Sequence, residues 1–335
     1  MNMKKKIVYI TIVTFVFALL AFTLFRKKPS DALVYNRMLM GTLVEITIYE
    51  KSGVDTDLAA DRAFAEIKRL EKIFSSYIPD SDVSRVSAGA GGKMVPVAPE
   101  VIEALKAALH TSDLSEGAFD PTVGALAKLW GYSGEKGVLP SKTEIAKALP
   151  LVDYKKIEID EGAGAVRLSK KGMVINLGGV AKGYIVKKAL DALGKEGVTR
   201  AIIHAGGDMA VYGGDEKTPF SIGIQDPREK KLLGTARVYD GAVSTSGDYE
   251  RFFMKDGKRY HHILDPKTGW PATQTRSVTI IAKDHTLADG LSTAVFVLGP
   301  EKGMALIERL DAVEGVIVDK DGVVQTSSGF NGKIY

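Results

Sequence analysis

Nineteen residues from Ile7 to Phe25, IVYITIVTFVFALLAFTLF, run without a single charge, about the length a helix needs to cross a hydrocarbon core of roughly 30 Å. A cleavable leader would have an apolar core of roughly 7 to 15 residues and a small-x-small cleavage site. Here Ala21 is followed by Phe22, Thr23, Leu24 and Phe25. The chain contains no cysteine, which excludes both a lipidated N-terminal cysteine and disulfides. Residues 1–28 are therefore expected to form a single-pass membrane anchor with basic flanks. Lys4, Lys5 and Lys6 precede the segment and Arg26, Lys27 and Lys28 follow it, so the positive-inside bias ties. A short basic N-terminus usually stays inside. The body is thus expected on the outer, periplasmic side of a bacterial inner (cytoplasmic) membrane.

The net charge of +4 changes meaning once those flanks are set aside. They hold six of the 45 Lys and Arg and none of the 41 Asp and Glu, so the body carries 39 against 41, a net −2. That balance lacks the basic footprint of a nucleic-acid binder.

Within the body, hydrophobic period marks the elements. Leu43 to Tyr49 alternates, with Val44, Ile46 and Ile48 on one face of a strand. Asp55 to Phe74 switches to a helical stripe of Ala60, Ala63, Phe64, Ile67, Leu70 and Phe74. A second helix is expected from Pro99 to Thr111, a strand over Gly172 to Leu177, a helix from Ala181 to Leu193 ended by Gly194, and a strand over Arg200 to Ala205. The C-terminal third reads as strand Ser277 to Ala282, helices Thr286 to Leu298 and Lys302 to Leu310, and strands Gly315 to Asp319 and Gly322 to Thr326. The expected class is α+β, a mixed α/β body of sheets flanked by helices with hairpin and crossover connections. No long polar linker divides residues 29–335, so one domain is expected.

Asn176-Leu-Gly-Gly-Val-Ala-Lys-Gly-Tyr184 leads through consecutive glycines into a helix with Lys182 in its first turn. Such a turn lets backbone approach an anion, where helix N–H groups and a lysine favour phosphate. It is equally a packing device, and its spacing is not that of a Walker A loop. Asp289 and Thr293, four apart in LADGLSTA, project from one helix face. A carboxylate with a hydroxyl suits Mg²⁺; the alternative is a first-turn acid favoured by the helix dipole beside a packed threonine. Gly117 to Thr122, with Asp120 before Pro121, and Tyr260 to Gly269, with two of the five histidines, are further candidate walls. A histidine there can take a proton from a hydroxyl or merely hydrogen-bond within a strand. Thiol chemistry is excluded, and no His/Cys metal cage has suitable spacing.

Taken together the chain resembles the ApbE family, the FAD:protein FMN transferases, from Met40 to about Pro300. The likeness is carried by Met40-Gly-Thr42, Phe74-Ser-Ser-Tyr77, Gly117 to Thr122 with Leu129-Trp-Gly131, Leu177 to Tyr184, Ala205-Gly-Gly-Asp208, Ser244-Thr-Ser-Gly247, His262 to Gly269, and Ala288-Asp289 to Thr293. The resemblance implies FAD, as substrate, bound by Met40, Tyr77, Ala118, Phe119, Asp120, Asn176, Lys182, His262 and Ile263. It implies Mg²⁺ held by the main-chain oxygen of Gly179 with Asp289 and Thr293. Lys182, Asp289 and His262 are the implied catalytic residues. The implied reaction moves FMN from FAD onto a Thr or Ser hydroxyl of an acceptor flavoprotein, typically a subunit of a membrane electron-transfer complex, and releases AMP. Hydrolysis of FAD to FMN and AMP, or flavin binding without turnover, are the alternative readings. Two departures stand out: Asn176 replaces an aspartate common in the family, and the apolar helix replaces a lipidated cysteine.

Overall fold

The computed structural model describes residues 32–49, 53–132 and 137–335. The expected anchor at residues 1–28 lies outside them. Among the described residues no helix is long and apolar enough to cross a membrane.

The described residues begin with β1 (Leu33–Leu39), β2 (Thr42–Ile48), α1 (Thr56–Phe74), α2 (Asp82–Ala88), β3 (Val95–Pro96), α3 (Pro99–Leu114), α4 (Gly124–Leu129) and α5 (Lys142–Ala148). The middle holds β4 (Ile157–Asp160), β5 (Ala165–Leu168), α6 (Ala181–Lys195), β6 (Ala201–Ala205), β7 (Asp208–Tyr212), β8 (Phe220–Gln225), β9 (Leu232–Val238) and β10 (Gly241–Gly247). The described residues end with β11 (Phe252–Lys255), β12 (Lys258–His261), β13 (Thr275–Ala282), α7 (His285–Leu298), α8 (Pro300–Glu308), β14 (Val313–Asp319), β15 (Val324–Thr326) and β16 (Gly332–Ile334).

Eight strands form the central sheet in the order β1-β2-β6-β7-β10-β13-β14-β15, every neighbour antiparallel. One face carries helices. Val44, Ile46 and Ile48 of β2 meet the α1 stripe of Ala63, Phe64, Ile67 and Leu70 in the main core, as the sequence period predicts. The other face is covered in part by the small sheet β16-β9-β8 through Phe220, Ile222 and Ile224 against Val211, Val243 and Val316. A third sheet, β3-β5-β4, supports α2.

Two expectations fail. Gly172 to Leu177 is not a strand: Val174 makes one isolated bridge to Val123, and the Asn176 N–H donates instead to the Pro121 carbonyl at 2.7 Å. Gly194 does not end α6, which continues to Lys195; the left-handed turn falls at Gly197, φ 89°.

Helices α6 and α7 cross at Gly183. A Cβ there would lie 2.2 Å from the His285 carbonyl oxygen and 2.8 Å from the Asp289 Cβ. Neither neighbour is a flexible tip, so Gly183→Ala must push the helices apart. We expect it to cost about 3 kcal/mol, the upper end of overpacking effects, read as a lowered denaturation midpoint; an unchanged midpoint would show that the crossing yields freely.

Candidate active site

The loop 176–180 is shaped by its own side chain. Asn176 Oδ1 accepts from the Gly178 N–H at 2.8 Å, and the Leu177 carbonyl accepts from Val180 and Ala181 at 2.9 and 2.8 Å. No side chain of the entering loop caps α6. Its N-terminus is served from across the crossing, where Asp289 Oδ2 accepts from the Gly183 N–H at 2.9 Å. Asp289 is the fifth residue of α7, not in its first turn, and it complements the dipole of α6 rather than of its own helix.

Lys182, in the first turn of α6, is ion-paired with Asp208, which opens β7 and is 2% exposed. Asp208 follows the Gly206-Gly207 turn, in which a Cβ on Gly207 would lie 2.5 Å from the Thr245 carbonyl oxygen. Burial works against the Lys182 ammonium, but the charges of Asp208 and Asp289 outweigh it and raise its pKa. The Asp289 carboxyl is pushed well above the usual range, by burial first and by the charge of Asp208 second, against the pull of Lys182. Two carboxyl groups and one ammonium thus crowd a largely buried space, and ionising both carboxyls there would leave a net negative charge. A cation relieves that imbalance.

Around this triad the predicted oxygen donors converge. A Cβ on Gly179 would lie 2.9 Å from the Phe119 ring and 3.2 Å from Thr293 Oγ1, so the bare backbone of Gly179 is wedged between the two. Thr293 Oγ1 lies 3.2 Å from Ser246 Oγ, which is itself 2.8 Å from Ser292 Oγ. Of the three ligands implied by the resemblance, Gly179 and Thr293 lie side by side and Asp289 is one turn earlier on the same helix as Thr293, a donor set of the kind that suits a hard divalent cation such as Mg²⁺. Among the described residues no cluster of three His, Cys, Asp or Glu side chains could hold a metal instead.

The second wall gathers Tyr77, Tyr132, Arg251 and His262. Arg251 Nη1 donates to Tyr77 Oη at 3.0 Å, Tyr77 Oη donates to the Tyr132 carbonyl at 3.2 Å, and the His262 N–H donates to the Arg251 carbonyl at 3.0 Å. The His262 and Tyr132 rings meet edge to face with centroids 6.5 Å apart. His262 Nδ1 and Tyr132 Oη are both buried with no hydrogen-bond partner. Two orphaned polar atoms on one wall are a costly arrangement unless a ligand satisfies them. The Lys182 charge also acts on His262, so the two groups lie within electrostatic range of one another.

The remaining predicted contacts divide. Met40 and Gly41 form the β1–β2 turn with φ of 54° and 70°; the Met40 N–H donates to Glu71 Oε1 at 2.9 Å, holding a left-handed conformation that methionine seldom adopts. Ala118, Phe119 and Ile263 are buried. The Asp120 carboxylate is spent inside the fold, accepting from Thr122 N–H and Oγ1 at 2.7 and 2.6 Å and from the Tyr154 N–H at 3.0 Å. Sequence reasoning assigned no role to Asp208, Tyr132 or Arg251; the Gly-Gly-Asp turn was the one signal for the first.

Burial, with help from Arg251, pulls the His262 pKa down to about 3. Some of the residue's surface remains accessible, but Nδ1 does not. Burial also lowers His261 and His285. An imidazole whose folded pKa lies below its unfolded value of about 6.5 binds fewer protons folded than unfolded between the two. Its contribution to stability is complete above about pH 6.5 and is lost as pH falls toward the folded value. We expect His262→Gln to flatten the loss of stability between pH 6.5 and about 3 by on the order of 2 kcal/mol, measured by denaturation at stepped pH; parallel curves for both proteins would refute it.

A wide concavity of about 1110 Å³ lies elsewhere, lined by Arg69, Glu66, Lys187 and Asp191 among others. Two ion pairs close within it, Arg69 with Glu66 and Lys187 with Asp191, and none of the predicted residues borders it.

The fold, in which a glycine loop, a lysine at a helix start and a buried carboxylate come together, is that of flavin transferases among solved structures. The ApbE family model matches residues 40–317, and the chain belongs to that family. It is 34% identical to a FAD:protein FMN transferase of Treponema pallidum, over 88% of this chain and 87% of the relative. A Klebsiella pneumoniae protein of the same description is 33% identical over 88% and 91%. Among solved structures, the ApbE protein of Thermotoga maritima superposes with a TM-score of 0.83 at 36% identity, covering 89% of this chain and 97% of that one. The flavin transferase ApbE from Vibrio cholerae gives 0.80 at 27% identity, covering 90% and 98%.

Proposed function

We propose that this chain is a Mg²⁺-dependent FAD:protein FMN transferase. The observation that carries this reading is the gathering of Lys182, Asp208, Asp289, Gly179 and Thr293 at the crossing of α6 and α7, within electrostatic range of His262, in a member of the ApbE family. FAD lies along the groove between the two walls, with its diphosphate at the α6 loop. Gly179, Asp289 and Thr293 would hold Mg²⁺, which would neutralise charge on that diphosphate. Lys182 adds a fixed positive charge where negative charge develops, the kind of preorganised electrostatics on which phosphoryl transfer depends. Asp208 keeps Lys182 in place. The acceptor's Thr or Ser hydroxyl attacks the FMN-side phosphorus; a new O–P bond forms, the bridging P–O bond breaks, AMP departs, and FMN remains as a phosphoester. His262 takes the hydroxyl proton, its basicity raised above that of the ligand-free site by the negative charge of the bound diphosphate.

The acceptors are flavoprotein subunits of membrane electron-transfer complexes. The apolar segment Ile7–Phe25 places enzyme and acceptor on one surface, the outer side of a bacterial cytoplasmic membrane, which raises their effective concentration. The test is incubation of the full chain with FAD, Mg²⁺ and a candidate acceptor, followed by mass spectrometry of the acceptor. FMN on one Thr or Ser is expected, together with AMP in solution. Free FMN without an adduct would mean that water is the nucleophile.

A further inference from the structure

Strands β11 and β12 form a two-stranded sheet of their own, joined by Asp256 and Gly257 with φ of 50° and 71°. Such a hairpin is marginal unless one face is packed. Phe253 and Tyr260 supply that face, stacked on each other at 5.3 Å and set against Trp130 at 6.4 and 5.7 Å. Strand alternation turns Phe252, Met254 and Arg259 the opposite way. There Phe252 is 41% and Met254 56% exposed, with the Arg259 guanidinium 4.3 Å from the centre of the Phe252 ring.

The charge of this element runs against that of the body. From Arg251 to His261 there are four Lys and Arg and one acid, Asp256, on a body whose net charge is −2. Arg259 shares Asp248 with Arg228. Arg251, Lys255 and Lys258 have no carboxylate partner among the described residues. The hairpin also grows directly out of the catalytic wall: Arg251 at its start holds Tyr77, and His262 follows its last residue.

We propose that the exposed outer end of this hairpin, with Phe252, Met254 and Arg259 on one side and Lys255 and Lys258 flanking the turn from the other, is where the acceptor polypeptide docks. The segment it takes combines apolar and acidic side chains around the threonine or serine to be modified. The inference rests on the transfer reading. Apolar contacts on Phe252 and Met254 would fix the segment, while the uncompensated cations select its charge and speed encounter. Because the strand leads from the docking face to Arg251 and His262, a bound segment is delivered at the groove rather than at a remote surface. A membrane would not require that continuity.

The test uses the full chain in detergent with FAD, Mg²⁺ and two fluorescein-labelled synthetic peptides around one threonine, one flanked by Asp and Leu, the other by Lys and Leu. Fluorescence anisotropy is expected to show the acidic peptide binding about tenfold more tightly. Joint replacement Lys255→Glu and Lys258→Glu should erase that preference, and Met254→Asp should weaken the acidic peptide, while melting temperature and FAD binding stay as in the parent. Equal binding of both peptides, or a preference that survives the double replacement, overturns the inference. So does a double replacement that alters only binding to anionic lipid vesicles or the sedimentation of the chain, since the face would then serve a membrane or a second copy. FMN on the bound peptide is read separately by mass spectrometry; its absence despite acid-selective binding would count against transfer and leave the docking face standing.

Discussion

Asp289→Asn is expected to lower AMP release and FMN transfer by at least about a hundredfold, the scale on which single electrostatic contacts to a transition state act. The amide oxygen can still accept from the Gly183 N–H, so the α6–α7 crossing is retained while the charge is lost. Since the carboxyl's raised pKa marks the ionised form as unfavourable in this buried space, the variant should melt no lower than the parent without metal. A second readout separates site from fold. Added Mg²⁺ should raise the melting temperature of the parent, because a ligand bound only to the folded state stabilises it, and should leave that of Asp289→Asn unchanged. Parent-like transfer by the variant would remove Asp289 from the site.

Lys182→Met should damage both activity and stability, and a second substitution can separate the two. Asp208 is 2% exposed and loses its cation. Breaking a buried pair from one side costs roughly 3–5 kcal/mol. The Lys182 side chain keeps 34% of its surface, and solvent screening brings our expectation down to about 2 kcal/mol. Adding Asp208→Asn removes the stranded charge and should recover most of that loss in chemical denaturation. Transfer should remain absent in the double variant, since nothing replaces the positive charge at the start of α6. If the double variant regains activity, Lys182 is only a structural partner of Asp208.

Much of the scaffold is legible along the chain because it depends on local period. The stripe of Ala63, Phe64, Ile67 and Leu70 and the alternation of Val44, Ile46 and Ile48 both appear in the core where expected. Gly172 to Leu177 misled because its apolar content resembles a strand's. Its backbone partner, Pro121, lies in a distant loop that sequence cannot align with it. Strands β8 to β12 went unread, because glycine and polar or basic residues break their apolar alternation.

The site divides in the same way. Residue type and spacing alone marked Lys182 beside two glycines, the four-residue step from Asp289 to Thr293, and an apolar stretch from Ile7 to Phe25, because each is a property of a few adjacent residues. Only the folded chain decides that Asp208, 26 residues beyond Lys182, holds it, that Asp289 serves a helix other than its own, and that Arg251 reaches Tyr77 across 174 positions. It alone makes His262 neutral and Asp289 reluctant to ionise. The physical reason is that desolvation and charge coupling depend on what other strands and helices bring within a few ångströms, and that distance is set by packing.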